Sequence, residues 1–338
     1  MRQRLNDFAA EDGALEAIDE FKVDLLARSW APIEALDTGH VALDIDVFTM
    51  DNSNNRKEGV SRTYSGFDGY APISAYIGDQ GWCIALELRN GSDHSAAETD
   101  YFLERVLPRA ARLIESPLLV RMDSGFDAAK LYRCINTFSA ERQAEGGKPV
   151  DFLVKWNPRN EGVSEIIDKA HSRTDQIWCV MREGKRMTLV EDNVTKGGQE
   201  LRRVSRVIER TIEPNGQRHI VPTYEVEVFL TTLDAVQVPS SRVVRLYEDH
   251  GTHEQFHSEI KSDLDLERPP SRRFRTNEAV LALAAVAYNL LRLIGQNALI
   301  GDDAPMRHPA KRRRLRTVIQ EIINVAAVLI SHARQRDS

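Results

Sequence analysis

The segment Leu118-Leu-Val-Arg-Met122, followed by Asp123-Ser-Gly-Phe126 and a helical stretch opening at Asp127, constrains this chain most. A short apolar run reads as a buried strand, and a strand that ends in a sharp glycine turn leading into a helix is an α/β unit. A second strand is legible in Val41-Ala-Leu-Asp-Ile-Asp-Val-Phe48, where alternation sets Leu43, Ile45 and Val47 on one side and Asp44 and Asp46 on the other. Two further strands are expected near residues 73–77 and 82–88. A helix over 13–28 places Leu15, Ile18, Phe21, Leu25 and Leu26 on one face. Another is announced by the capping-box pair Ser95 and Glu98; Leu103, Val106, Leu107, Ala110, Leu113 and Ile114 recur along it at helical spacing, with a kink expected at Pro108.

Between about 175 and 245 the texture becomes strand-like, with turns at Glu183-Gly, Lys196-Gly-Gly and Asn215-Gly, which predicts a β-rich insertion. Helices are expected to return over 252–266, 276–296 and 310–334. A length of 338 residues suits two domains or one core with a large insertion. The longest strongly apolar stretch, residues 279–294, is interrupted by Asn289 and Arg292 and is shorter than the ~20 residues of a bilayer span, so no membrane partner is expected. The basic start has no apolar run behind it, and no secretory signal is readable. Cys83, Cys134 and Cys179 are odd in number and far apart, as suits reduced thiols in a cytosol and excludes a Cys-x-x-Cys zinc site. No Gly-rich phosphate loop is present, so nothing indicates a nucleotide-driven mechanism.

The net charge of −6 conceals an asymmetry, with a balance of −8 over residues 1–51 and +8 over 268–338. Residues 307–316 alone hold six formal positive charges, among them Arg312, Arg313 and Arg314, and this region is expected to face a polyanion. Arg202, Arg203, Arg206 and Arg210 in the insertion either line a channel for nucleic acid or form a solvated strand face. Lys155-Trp-Asn157 either stacks on a base or holds a core tryptophan.

Two strand-borne carboxylates, Asp46 and Asp123, suit a hard divalent cation, although a lone Asp at a strand end is more often a turn former. The stronger signal is Tyr247-Glu-Asp-His250-Gly-Thr-His-Glu254-Gln-Phe-His-Ser-Glu-Ile-Lys261. At roughly 100° per residue, Tyr247, His250, Glu254 and Lys261 fall within about 60° of one another if the helix is continuous. Such a stripe suits a metal and phosphates; a polar helix face is the alternative.

These residues resemble a bacterial insertion-sequence transposase of the DDE type. The resemblance rests on Asp46 in its strand, Lys57-Glu-Gly59, Asp123-Ser-Gly-Phe126, Thr231-Thr-Leu233, and the Tyr-x2-Arg-x3-Glu-x6-Lys signature, kept as Tyr247, Glu254 and Lys261 with His250 in place of Arg. Phe274-x2-Asn277 and Leu283-Ala-Ala-Val-Ala-Tyr-Asn-Leu290 extend it downstream. It implies an α/β, ribonuclease-H-like mixed sheet flanked by helices, with a β-rich insertion between the second Asp and the Glu and a helical C-terminal region. The implied division is an N-terminal helical segment over 1–40, a catalytic core over 41–174 and 246–300, the insertion over 175–245, and a basic C-terminal helix over 301–338. By resemblance Asp46, Asp123 and Glu254 are the catalytic, metal-binding triad for two Mg²⁺ or Mn²⁺ ions, with Asp44 the fallback for the first position. Tyr247, His250 and Lys261 would contact DNA phosphates. The implied partners are transposon ends and target DNA, bound by a homodimer in the bacterial cytoplasm at the nucleoid. Two departures stand out: the segment before the first catalytic strand is short for the family, as in an N-terminally truncated member, so end recognition is expected to be lost, and a neutral imidazole offers one donor where guanidinium offers five.

A rival reading is a zinc metalloprotease using His253-Glu254-x-x-His257, with Glu278 as a third ligand. A protease leaves Asp123, Lys261 and the basic C-terminal region without a role. An inactive or nonspecific nucleic-acid-binding relative is a third option.

Overall fold

A computed structural model describes residues 2–158, 162–172, 176–213, 215–251, 253–297, 313–324, 330–332 and 335–337. In chain order the elements are α1 (Arg2–Ala10), α2 (Ala14–Arg28), β1 (Val41–Val47), β2 (Met50–Asp51), β3 (Ser61–Arg62), β4 (Asp68–Tyr70), β5 (Ile73–Ile77), β6 (Trp82–Glu87), α3 (Thr99–Arg112), β7 (Leu118–Met122), α4 (Ala129–Ala144), β8 (Val150–Lys155) and α5 (Ser164–Ser172). They continue with β9 (Cys179–Arg182), β10 (Lys185–Lys196), β11 (Gln199–Ile212), β12 (Arg218–Thr231), α6 (Ser240–His250), α7 (His253–Ser258), α8 (Phe274–Asn297), α9 (Leu315–Val318), β13 (Ile330–His332) and β14 (Gln335–Asp337).

The expected α/β architecture is present as a mixed sheet flanked by helices. Its strand order is β6-β5-β1-β7-β8-β12-β11-β10-β9. β1 pairs antiparallel with β5 and parallel with β7, and β7 pairs parallel with β8. These central strands are buried on both faces, which explains their near-continuous apolar runs. The β-rich insertion extends the same sheet, because β12 pairs with β8 through Phe229↔Lys155, Leu230↔Val154 and Thr231↔Leu153.

A charged pair interrupts the apolar interior between β1 and β7. Register sets Asp44 of β1 opposite Arg121 of β7, and the guanidinium donates to both carboxylate oxygens at 2.6 and 2.8 Å. Arg121 also donates to the Leu246 carbonyl at 3.0 Å, and His250 Nδ1 lies 2.9 Å from Asp44, so the pair ties α6 to the sheet. Burial alone raises a carboxyl pKa, but Arg121 and His250 hold that of Asp44 well below the usual carboxylate range.

Several sequence expectations need correction. The helix expected from the Ser95/Glu98 capping box begins only at Thr99, with Glu98 left-handed at φ 52°; the Thr99 hydroxyl donates to the Ser95 carbonyl instead. The stretch 247–261 is not one helix. α6 stops at His250, the chain turns at Gly251, and α7 gives way to a π-helical turn over Glu259–Asp263. The C-terminal helix expected over 310–334 is, among the described residues, only α9, a π-helical turn over Ile319–Ile323 and an antiparallel β13–β14 pair.

The apolar stretch expected to fall short of a span lies in α8, whose 24 residues are long and apolar enough to cross a bilayer by length and composition. The polar residues that interrupt it explain its packing here. Strand β6 is a sheet edge, and Asn289 satisfies both backbone groups of Cys83: Oδ1 accepts from its N–H at 3.0 Å and Nδ2 donates to its carbonyl at 2.7 Å. Arg292 donates to the Gln80 carbonyl at 2.7 Å and pairs with buried Glu259. An edge strand needs such cover, and α8 provides it with side chains that mimic a neighbouring strand.

Two outcomes are expected in denaturant unfolding. Asn289→Leu leaves a buried N–H and a buried carbonyl unpaired and costs about 2–4 kcal/mol; a loss below about 0.5 kcal/mol removes Asn289 from this role. Arg121→Met leaves Asp44 without its main partner and costs about 3–5 kcal/mol near neutral pH. Because the folded-state pKa of Asp44 is depressed, the stabilisation is full above its unfolded value of about 3.9 and is lost as pH falls below it. The gap between Arg121→Met and the parent therefore narrows in acid, and a gap independent of pH rules out the ion pair as its source.

Candidate active site

The parallel register of β1 and β7 runs Asp44↔Arg121, Ile45↔Met122, which puts Asp46 and Asp123 next in line on the two strands. Both line a cleft of about 860 Å³ that Glu254 also lines. Its walls include Arg62 from β3, Thr63 and Tyr64 from the β3–β4 connection, the 91–95 loop, Arg206, Glu227 and Phe229 from β11 and β12, and Tyr247, Glu248 and His250 from α6.

Local backbone orients the two aspartates. Asp46 Oδ1 accepts from the Val47 N–H at 2.8 Å, while its Oδ2 lies 3.8 Å from His257 Nδ1. Asp123 Oδ1 accepts from the Gly125 N–H at 2.9 Å, closing a 3₁₀ turn over Ser124–Phe126. Asp123 is thus a turn former and a cleft residue at once. Tyr64 and Tyr247 register the concentration of negative charge. Burial, and then the carboxylates of Asp46 and Asp123, push both phenols above their usual pKa, so both remain protonated donors at neutral pH.

Six carboxylates line the cleft against two guanidinium groups, those of Arg62 and Arg206. Hard oxygen donors in excess of local cations suit Mg²⁺ or Mn²⁺, so the donor chemistry of Asp46 and Asp123 fits a divalent ion. Glu254 is exposed on the first turn of α7. Among the described residues no three His, Cys, Asp or Glu groups are gathered to hold a metal ion, so the three carboxylates share the cleft without forming a closed triad.

The other expected site residues divide. Tyr247 lines the cleft, its ring 4.9 Å from that of Phe229, with the Lys155 ammonium 5.8 Å from the ring centroid. His250, expected to grip phosphate, is a buried ring at the cleft wall engaged with Asp44. Lys261 does not line the cleft; its Nζ donates to the Thr49 carbonyl at 3.3 Å and lies 3.9 Å from Glu267. The break at Gly251 and the π-helical turn account for this, since each rotates the downstream residues away from the stripe of a continuous helix. Asp44, the fallback for the first position, is not among the residues lining the cleft, and its carboxylate is engaged by Arg121 and His250.

Arg313 pairs with Glu321 at 2.8 Å and Arg314 with Asp263 at 2.9 Å, so both are engaged within the chain; Arg312 lies outside the described residues. The insertion arginines are likewise closed by carboxylates: Arg202 by Glu191, Arg203 by Asp192, Arg206 by Glu227 and Glu248, and Arg210 by Glu225. Trp156 is a buried core residue, and its neighbour Asn157 reaches the cleft. Tyr64 and Glu227 escaped the sequence reading, since neither sits in a motif and only the chain's return brings them to the cleft.

The zinc-protease arrangement finds no support. His257 is buried, with Nε2 3.0 Å from Ser74 Oγ and its ring stacked on Phe48 at 4.4 Å. Glu278 lines a separate cavity with Arg105 and Arg109. The side chain of His253 lies outside the described residues.

The model of the family described as "Transposase DDE domain group 1" matches residues 3–337. Among solved structures, a cryo-EM structure of the piggyBac transposase synaptic complex with hairpin DNA is similar at a TM-score of 0.40 and 12% identity, covering 85% of this chain and 55% of that one. The chain thus spans about half the length of that transposase. Curated proteins give no match. Matched over nearly its whole length by the family model, the chain belongs to the group 1 family of transposase DDE domains.

Proposed function

We propose that this protein is a DNA transposase that cuts and joins the strands of a bacterial insertion sequence by metal-dependent phosphoryl displacement, with Asp46, Asp123 and Glu254 as the groups that hold two Mg²⁺ or Mn²⁺ ions. The observation that carries this reading is the parallel β1–β7 register, which sets Asp46 and Asp123 in succession at one cleft that Glu254 also lines. Family membership supplies the class of chemistry. The chemistry such ions supply when bound is activation of a water or a 3′-hydroxyl and stabilisation of the leaving oxygen in an in-line attack on phosphorus.

The chain's own groups have distinct parts. The Val47 and Gly125 N–H groups fix the rotamers of the two aspartates before substrate arrives. Glu254, at the start of a short helix, supplies the third carboxylate at the same cleft. Tyr247, kept protonated, donates a hydrogen bond to a phosphate oxygen, while the Tyr64 hydroxyl donates to the Val47 carbonyl at 3.1 Å and buttresses the strand end beside Asp46. His250 holds the end of α6 in place through Asp44 and leaves phosphate contact to other groups. The proposed division is a catalytic core over 41–174 and 246–300, the insertion over 175–245, and flanking segments over 1–40 and 301–338. Joining two transposon ends calls for a homodimer on DNA, acting in the cytoplasm at the nucleoid.

A plasmid-nicking assay in Mg²⁺ or Mn²⁺ tests this reading. Asp46→Asn and Asp123→Asn each reduce strand cleavage on the order of 10³-fold or more, whereas His257→Ala, beside Asp46, costs at most about 10–100-fold. Peptide hydrolysis that needs Zn²⁺, survives Asp123→Asn and disappears in His257→Ala would falsify the transposase assignment.

A further inference from the structure

Arg202, Arg203, Arg206 and Arg210 of the insertion and Arg313, Arg314 and Arg316 near the C-terminus are paired with carboxylates, and the cleft itself is rich in acid and offers DNA little attraction. Among the exposed arginines without an ion pair, four lie on adjoining loops. Arg56, Arg268, Arg272 and Arg273 are exposed, and among the described residues their guanidinium groups make no ion pair or hydrogen bond.

Two loops bring them together. The 52–60 loop is stitched to the 267–274 loop by the Glu58 N–H to the Arg272 carbonyl at 2.9 Å, by Lys57 Nζ to the Pro269 carbonyl at 2.6 Å, and by Asn52 Nδ2 to the Glu267 carbonyl at 2.9 Å. Gly59 makes the approach possible. Its φ is +82°, and a Cβ there would lie 2.4 Å from a ring carbon of Phe274. The local acids are turned to the backbone: Glu58 accepts from the Phe274 N–H at 2.8 Å and Glu267 from the Asp51 N–H at 2.6 Å. Arg268 adjoins Pro269, whose carbonyl accepts from Lys57, and burial, then the charge of Arg268, lower the pKa of Lys57.

The patch continues the rim of the cleft. The 52–60 loop runs directly into Ser61–Arg62 and Tyr64, and the Gly59 carbonyl accepts from the N–H of cleft-lining Gly91 at 3.4 Å. Duplex DNA carries one negative charge per roughly 1.7 Å, so a helix whose reacting phosphate sits over Asp46 and Asp123 presents a row of phosphates beyond the cleft. We propose that Arg56, Arg268, Arg272 and Arg273 form a sequence-independent binding surface for the backbone of duplex DNA flanking the reacting phosphate. Guanidinium groups on a stitched, rigid loop pair suit this, because the fork geometry matches phosphate oxygens and little ordering is required on binding. The inference rests on the DNA-processing reading of the cleft.

The test is fluorescence anisotropy with the full chain and a labelled duplex of arbitrary sequence, in EDTA to prevent cleavage, across a series of salt concentrations. Replacing all four arginines by alanine flattens the slope of log K against log salt by about 3–4, near 0.9 per phosphate contact, and Arg→Lys replacements at the same positions retain most of the slope. Arg272→Ala alone flattens it by about one and serves if the fourfold variant fails to fold. A parent chain that binds DNA while these variants keep its slope and its thermal midpoint overturns this surface and leaves the proposed chemistry standing. A parent that does not bind duplex DNA even at low salt overturns both.

Discussion

The buried pairing of Asp44 with Arg121 is the constraint on which the site depends. In parallel strands, a slip of one residue sends every side chain to the other face. At any such slip Asp44 loses its guanidinium and becomes an unpaired charge in an apolar interior, which is far more costly than the loss of packing alone. The pair therefore specifies register, and register sets Asp46 and Asp123 in line two residues further on. The same pair reaches across to the Leu246 carbonyl and to His250, so it also sets where α6 ends and where the chain turns toward Glu254.

Charge is segregated around that centre. The cleft concentrates carboxylates, and the insertion arginines nearest to it are each closed by Asp or Glu across a strand pair. A wall of this kind holds its shape but repels phosphate until cations offset it. Uncompensated positive charge stands instead on the shoulder formed by the 52–60 and 267–274 loops, where it attracts a polyanion without neutralising the acidic groups of the cleft.

The polar breaks in the apolar helix α8 have a similar logic. Asn289 and Arg292 looked like interruptions that shorten a hydrophobic run, and in the fold they dock that helix on the sheet edge at Cys83 and Gln80. A fully apolar helix in this position would bury the edge strand's N–H and C=O groups without partners.

Local patterns were enough to identify the α/β class, the β1 and β7 strands, the Asp123-Ser-Gly turn, the β-rich insertion and the family, because alternation, glycine turns and motif spacing are properties of neighbouring residues. The shared cleft lining of Asp46, Asp123 and Glu254 was implied by resemblance, and the sheet register is the physical reason for the first two. What the sequence left open depended on partners far away in the chain. The stripe from Tyr247 to Lys261 assumed a continuous helix, and the break at Gly251 hands His250 to Asp44 and Lys261 to Thr49. The basic run at 307–316 looked like the exposed charge, yet Arg313 and Arg314 are paired, while a cluster of arginines without ion pairs comes from two loops more than 200 residues apart. Sequence determines which charges a chain carries and how they are spaced locally; only the tertiary structure decides which are neutralised, because an ion pair depends on separation in space, and that is set by packing between distant segments.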